Sequence, residues 1–135
     1  MQSIAWRQET PAIASRVLIL STGPVRAAMA GPAIRGWAFA DVLGRKMPVT
    51  LAVPNRDHPS SDRFNVVAHS LSPDRIRQLV DGHDVVVVQG SSLALFPAID
   101  GRGKCLVVDL YDPFTLENFH IHASRPMEEL SLIHI

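Results

Sequence analysis

Cysteine is nearly absent: Cys105 stands alone in 135 residues, which excludes an internal disulfide and any cysteine-rich zinc site and fits a reducing compartment. Surplus charge is absent as well. Lys+Arg and Asp+Glu number 13 each, so there is no basic field to attract a polyanion, and nucleic acid is not an expected partner. No apolar run approaches the roughly 20 residues that a membrane-spanning helix needs. The opening MQSIAWRQETPAIAS interrupts its apolar residues with Arg7, Glu9 and Pro11, unlike a secretory signal. Residues 1–15 therefore read as a loose leader and the compartment as cytoplasmic, with peripheral contact at the inner face of the membrane left open. Repeats and low-complexity tracts are lacking too.

What is present is a regular alternation. Five short runs rich in Val, Ile and Leu recur as RVLIL, VTLAV, FNVVA, DVVVVQ and KCLVVDL. None alternates cleanly between apolar and polar residues, the pattern of strands buried on both faces. Between them, Gly31-Pro32, Ser72-Pro73 and Asp112-Pro113 each place proline where a helix begins and no backbone donor is lost. SPDRIRQLVDG sets Ile76, Leu79 and Val80 on one face and stops at Gly82, whereas SSLALFPAIDG should be broken or restarted by Pro97. The expected fold is a single α/β domain: an open, mainly parallel five-stranded Rossmann-like sheet with helices on both faces. Ligands of such sheets gather at the carboxyl ends of the strands.

Candidate chemistry is sought at those ends. A dinucleotide fingerprint needs G-x-G-x-x-G, but Gly23 and Gly31 are eight residues apart, which disfavours that mode of NAD binding. Ser21-Thr22-Gly23 partly matches a flavodoxin phosphate loop and keeps FMN open as an alternative. Gly31, at the start of the first helix, would let a phosphate or sugar hydroxyl approach free N–H groups, with Arg35 adding a charge-assisted bond. The plainer reading is that Gly31-Pro32 starts a buried helix and Arg35 meets a surface carboxylate. Gly36, costly inside a helix, marks close packing.

Gln89-Gly90 puts an amide and open backbone at a strand end, or simply forms a turn. Asp109, Tyr111 and Asp112 follow the fifth strand; Asp112 also suits the N-cap of DPFTLENF, and no metal is assigned there. An acidic pair that a response-regulator receiver needs is lacking after the first strand. His120 and His122 diverge on a helix, and His58, His69 and His83 have no metal spacing. Cys105 reads as a small core residue.

Taken in order, RVLIL, MAGPAIRGWAFADVL, VTLAVPN, DVVVVQG and LVVDLYDPF resemble the amino-terminal domain of GT-B glycosyltransferases of the large retaining family 4. The resemblance spans residues 16 to about 129. It implies the acceptor-side half of an enzyme that transfers a sugar from a nucleotide-diphosphate sugar, its donor substrate, to a glycan or lipid-linked acceptor, with no cofactor and no metal. Gly31, Arg35, Gln89, Gly90, Tyr111 and Asp112 would then bind substrate, with no catalytic residue assigned; a histidine that many relatives carry near the later strand ends is replaced here by Gln89 and Asp112.

The resemblance also implies a donor-binding carboxy-terminal domain, with its E-x7-E motif, as a partner in the same parent chain. Residues 16–129 alone would be inactive. Residues 130–135, LSLIHI, are similar to translated sequencing-adaptor read-through and are set aside as non-native. Two alternatives stand beside this reading: a flavodoxin-like FMN or nucleotide-binding domain built on Ser21 to Gly23, and a non-enzymatic interaction module.

Overall fold

The computed structural model describes residues 14–90, 96–99 and 103–110. Their strands are β1 (Val17–Leu20), β2 (Val49–Val53), β3 (Asn65–Ala68), β4 (Val85–Gln89) and β5 (Cys105–Asp109), each within a residue or two of its apolar run. All four pairings are parallel and the order across the sheet is β3-β2-β1-β4-β5. This is the strand order of the Rossmann sheet rather than that of flavodoxin.

Helix α1 (Gly31–Gly44) joins β1 to β2, and α2 (Pro73–Asp81) joins β3 to β4. The chain steps in opposite directions across the sheet at these two crossovers, so right-handed connections place them on opposite faces. α1 presents Ala33, Gly36 and Ala40 to the face formed by Val17, Ile19, Val49, Leu51, Val53 and Val87. Small residues at that spacing let the helix come close. A Cβ at Gly36 would lie 3.6 Å from the Leu51 side chain and 3.8 Å from Ser21 Cβ, an ordinary contact, so the packing is snug without requiring glycine.

On the other face α2 buries Ile76, Leu79 and Val80 against Leu18, Leu20, Ala52, Val86 and Val88, as its periodicity predicts. Each such side chain contributes roughly 1.5–3 kcal/mol of transfer free energy. Pro97 restarts the chain as a short 3-10 turn, Pro97–Ile99, and Phe96 and Ile99 join the same cluster.

The expectation that all five strands are buried on both faces needs correcting. β1, β2 and β4 are buried almost throughout, but β3 and β5 are the sheet edges and are partly open. Cys105 is accordingly an exposed free thiol rather than a core residue. Leu106 and Val107, which face opposite sides of β5, are 42% and 45% exposed. The helix expected at DPFTLENF and His120 and His122 lie outside the described residues.

The two rims of the sheet are fastened differently. At the amino-terminal rim, Gly44 lets α1 end against the chain entering β3: a Cβ there would sit 2.7 Å from the Arg63 carbonyl oxygen. Trp37 packs edge-on to Phe64 at 4.8 Å, and Arg63 and Arg45 both bond Asp41, holding its carboxyl below the usual carboxylate range. His83 spans Leu79 and Thr50, its Nδ1 at 2.6 Å from the Leu79 carbonyl and its Nε2 at 2.9 Å from the Thr50 hydroxyl.

Candidate functional site

β1 connects toward β2 and β4 toward β5, so their carboxyl ends part at the topological switch point of the sheet. The loop leaving β1 runs from Ser21 to Ala30. Ser21 is fully buried and its hydroxyl is used locally, donating to the Gly23 carbonyl at 3.0 Å and accepting the Gly23 N–H at 3.2 Å. Gly23 in turn lies against the first turn of α1, where a Cβ would come 3.3 Å from Ala33 Cβ. Thus the partial hydroxyl-rich match at Ser21-Thr22-Gly23 is a self-bonded turn, at least in its serine.

Further along, Val25 is buried and bonded through its backbone to one side chain: its N–H donates to Asn55 Oδ1 at 3.0 Å, and Asn55 Nδ2 donates back to its carbonyl at 2.9 Å. Arg26 pairs with Asp57 beside it. Bonds from the Asn55 amide and Arg26 lower the Asp57 pKa. The sequence singled out neither Asn55 nor Asp57. An Asn soon after a strand end is a common turn residue, and nothing local shows that its amide reaches back 30 positions.

The start of α1 contrasts with that of α2. Ser72 caps α2 by accepting from the Arg75 N–H, and Asp74 adds a carboxylate in its first turn; α1 has Ala30 at its N-cap, no side-chain cap bond and no acidic residue in its first turn. Gly31 is exposed, and a Cβ on it would meet nothing within 4 Å. Among the described residues no acidic side chain caps the first turn of α1, whose N–H groups and positive dipole end lie at the switch point.

Gln89 and Arg35 flank this helix start. Gln89, 4% exposed, donates from Nε2 to the Pro32 carbonyl at 2.9 Å, tying the β4 rim to the first turn of α1. Arg35 forks onto Asp109 at the end of β5, with bonds of 2.5 and 2.9 Å, and its guanidinium lies 4.7 Å from the Phe39 ring centroid. That is the carboxylate-meeting arrangement, with the partner on a strand 74 positions away. Gly90 takes a left-handed conformation, φ 49°, which favours glycine. Of the six residues assigned from sequence, Gly31, Arg35, Gln89 and Gly90 thus gather around one helix start; Tyr111 and Asp112 lie outside the described residues.

Across the rim, His69 follows β3 and is fully buried. Its Nε2 lies 2.8 Å from the Ser21 carbonyl, its Nδ1 accepts the Leu71 N–H at 3.0 Å, and its ring meets Phe96 edge-on at 5.6 Å. Burial lowers the imidazole pKa, and the bond to Ser21 partly raises it. Sequence spacing noted His69 only as lacking metal partners, and among the described residues no group of His, Cys, Asp and Glu is arranged to hold a metal.

Among the described residues, concavities also open elsewhere along the sheet. One, about 470 Å³, opens at the amino-terminal rim beside Arg16, Thr50, Arg63 and His83. Another is an apolar groove of about 710 Å³ between α1 and the β4–β5 face, walled by Phe39, Val42, Met47, Val87 and Val107. No described helix is long and apolar enough to cross a membrane.

No family model matches the chain, and none of the curated proteins compared with it matches. A solved structure similar to it is the DNA/pantothenate metabolism flavoprotein from Streptococcus pneumoniae, with 14% sequence identity and a TM-score of 0.40 over 87% of this chain. The chain spans about half the length of that flavoprotein, 50%. The family 4 glycosyltransferase resemblance is overturned, since neither a glycosyltransferase family model nor a curated glycosyltransferase matches the chain. The physical reason is that the matching pieces are general to βαβ folds: apolar strands, a proline-started helix and turn residues at strand ends. What the chain belongs to is therefore its architecture, an α/β domain with Rossmann strand order.

Proposed function

We propose that this domain binds a phosphate-bearing nucleotide at the β1/β4 switch point, with the phosphate in front of α1. The observation that supports this most is the contrast between the two helix starts: α2 carries its own cap and carboxylate, and α1 has neither while it faces the site. An anion at such a helix end accepts bonds from the free N–H groups and interacts favourably with the dipole. Gly31 leaves space for close approach, and Gln89 holds the turn in place through Pro32. FMN remains within this class, as does any nucleotide whose phosphate reaches the same turn. The self-bonded Ser21 supports a reading in which backbone amides, rather than a row of hydroxyls, make the phosphate contacts.

An aspartate at the N-cap tests the idea because it supplies the anion from the protein itself. Ala30→Asp is expected to stabilise the fold by about 1 kcal/mol and to weaken ADP and FMN binding by about tenfold or more. Isothermal titration of both nucleotides, with amide shifts of Gly31 and Ala33 followed by NMR, reads both effects. Absence of binding by either nucleotide, or binding that Ala30→Asp leaves unchanged, sinks the proposal.

A further inference from the structure

We infer that His69 is a proton-sensitive latch: its neutral ring joins the loop after β1 to the turn before α2, and protonation releases that turn. The hydrogen-bond partners fix the tautomer. A carbonyl accepts and never donates, so Nε2 carries the hydrogen toward Ser21 O at 2.8 Å; an amide donates, so Nδ1 offers its lone pair to Leu71 N at 3.0 Å. Only the neutral ring satisfies both at once. A proton added at Nδ1 would point at the Leu71 N–H and replace a bond by a repulsion.

The turn it holds is strained. Ser70 and Leu71 both adopt left-handed backbone, φ 49° and 54°, although neither is glycine. Such residues persist where surrounding bonds over-determine them. Here the bonds are Leu71 N–H to the ring, Ser72 N–H to the His69 carbonyl at 2.9 Å, and His69 N–H to Val53 O at 2.8 Å. Losing the first leaves Leu71 with a strained backbone, a 62% exposed side chain and little to hold it. Ser72, the next residue, is the cap of α2, so release of the turn reaches that helix.

The charged ring keeps only the Nε2–H bond to the Ser21 carbonyl as compensation, and burial outweighs it. Ser21, on the β1 side, presents a carbonyl that is already bonded; Phe96 presents the edge-on ring; and from the β2–β3 loop Arg56 donates to the Ser70 hydroxyl at 3.4 Å, bringing a positive charge to the same turn. Among the described residues no carboxylate bonds the imidazole. Burial pushes the ring toward its neutral form at neutral pH, in agreement with the bonds.

The latch is read in the ligand-free chain, so its failure is distinct from failure of the nucleotide reading, although both concern the same rim. NMR of uniformly labelled protein between pH 7.5 and 5 follows the His69 ring nitrogens and the exchange rate of the Leu71 amide, corrected for the intrinsic pH effect. The expected result is an Nε2–H tautomer at pH 7.5 and, on acidification, ring protonation accompanied by an increase of about tenfold in Leu71 exchange. His69→Asn, whose Oδ1 takes the place of Nδ1 without titrating, should keep Leu71 protected across the range. An Nδ1–H tautomer at pH 7.5 would falsify the latch, as would a ring that protonates without any change at Leu71. Those readouts need only the native chain, so a poorly folding variant does not protect the idea.

Discussion

His69 and His83 sit at opposite ends of the same sheet and use their rings in opposite senses. His83 donates from Nδ1 to the Leu79 carbonyl and accepts at Nε2 from the Thr50 hydroxyl. A hydroxyl can also accept, so a second proton on His83 turns one bond around and breaks neither. His69 faces an amide at the corresponding position, and an amide cannot reverse. The difference teaches that what a packed histidine contributes depends on whether its acceptor nitrogen meets a two-way or a one-way partner. Burial differs in the same direction, His69 being fully buried and His83 half-buried.

The largest expected effect that sharpens this contrast is on stability. His69→Ala removes a fully buried ring and strands Leu71 N–H, and should cost about 3 kcal/mol in urea unfolding. His83→Ala at the other rim, where Thr50 can find water, should cost about 1 kcal/mol. Equal losses would mean that the two rings do the same structural work and would dissolve the comparison.

Next in size is a pair of glycines on α1. Gly44→Ala forces a Cβ to 2.7 Å from a backbone carbonyl at the amino-terminal rim, for an expected loss of about 2 kcal/mol. Gly36→Ala beside Ser21 meets only ordinary contacts and should be neutral or gain up to about 1 kcal/mol from helix propensity. Thermal midpoints of the two variants give the answer, and a loss at Gly36 matching that at Gly44 would show that the helix is packed as tightly beside Ser21 as at the amino-terminal rim.

The smallest effect is the pH dependence. Burial holds the folded-state pKa of His69 below the ordinary imidazole value of 6.5. Over the interval beneath 6.5 the unfolded chain therefore binds more protons, so stability falls as pH drops through it and is complete above it. Differencing the native protein against His69→Asn isolates this contribution, and a difference independent of pH from 7.5 to 5 counts against a neutral buried ring.

How much of this was legible in the chain follows from the range of each signal. Strand runs and proline starts are local, so the order of elements, the helical face of Ile76, Leu79 and Val80 and the restart at Pro97 could be read directly. Edge position is not local: KCLVVDL looks as buried as DVVVVQ until the sheet order puts β5 outside, which is why Cys105 was misplaced. Bonds such as Arg35 to Asp109 or His69 to Ser21 join residues 74 and 48 positions apart and leave no trace in the spacing of either. The ordered motifs that resembled a glycosyltransferase were real features of a Rossmann sheet, but they recorded how such a sheet is built rather than what it transfers.

The two bonds between Asn55 and Val25 have a dynamic consequence. They divide the long connection after β1 into two short spans, Ser21–Pro24 and Arg26–Ala30, each with much less conformational freedom than the undivided connection. The Val25 amide should then exchange with solvent as slowly as the sheet itself, while Ala27 and Ala28, both exposed, exchange within the intact fold. The connection behaves as a fixed lip, so the nucleotide we propose at α1 would find this loop already in place instead of drawing a loose segment over itself.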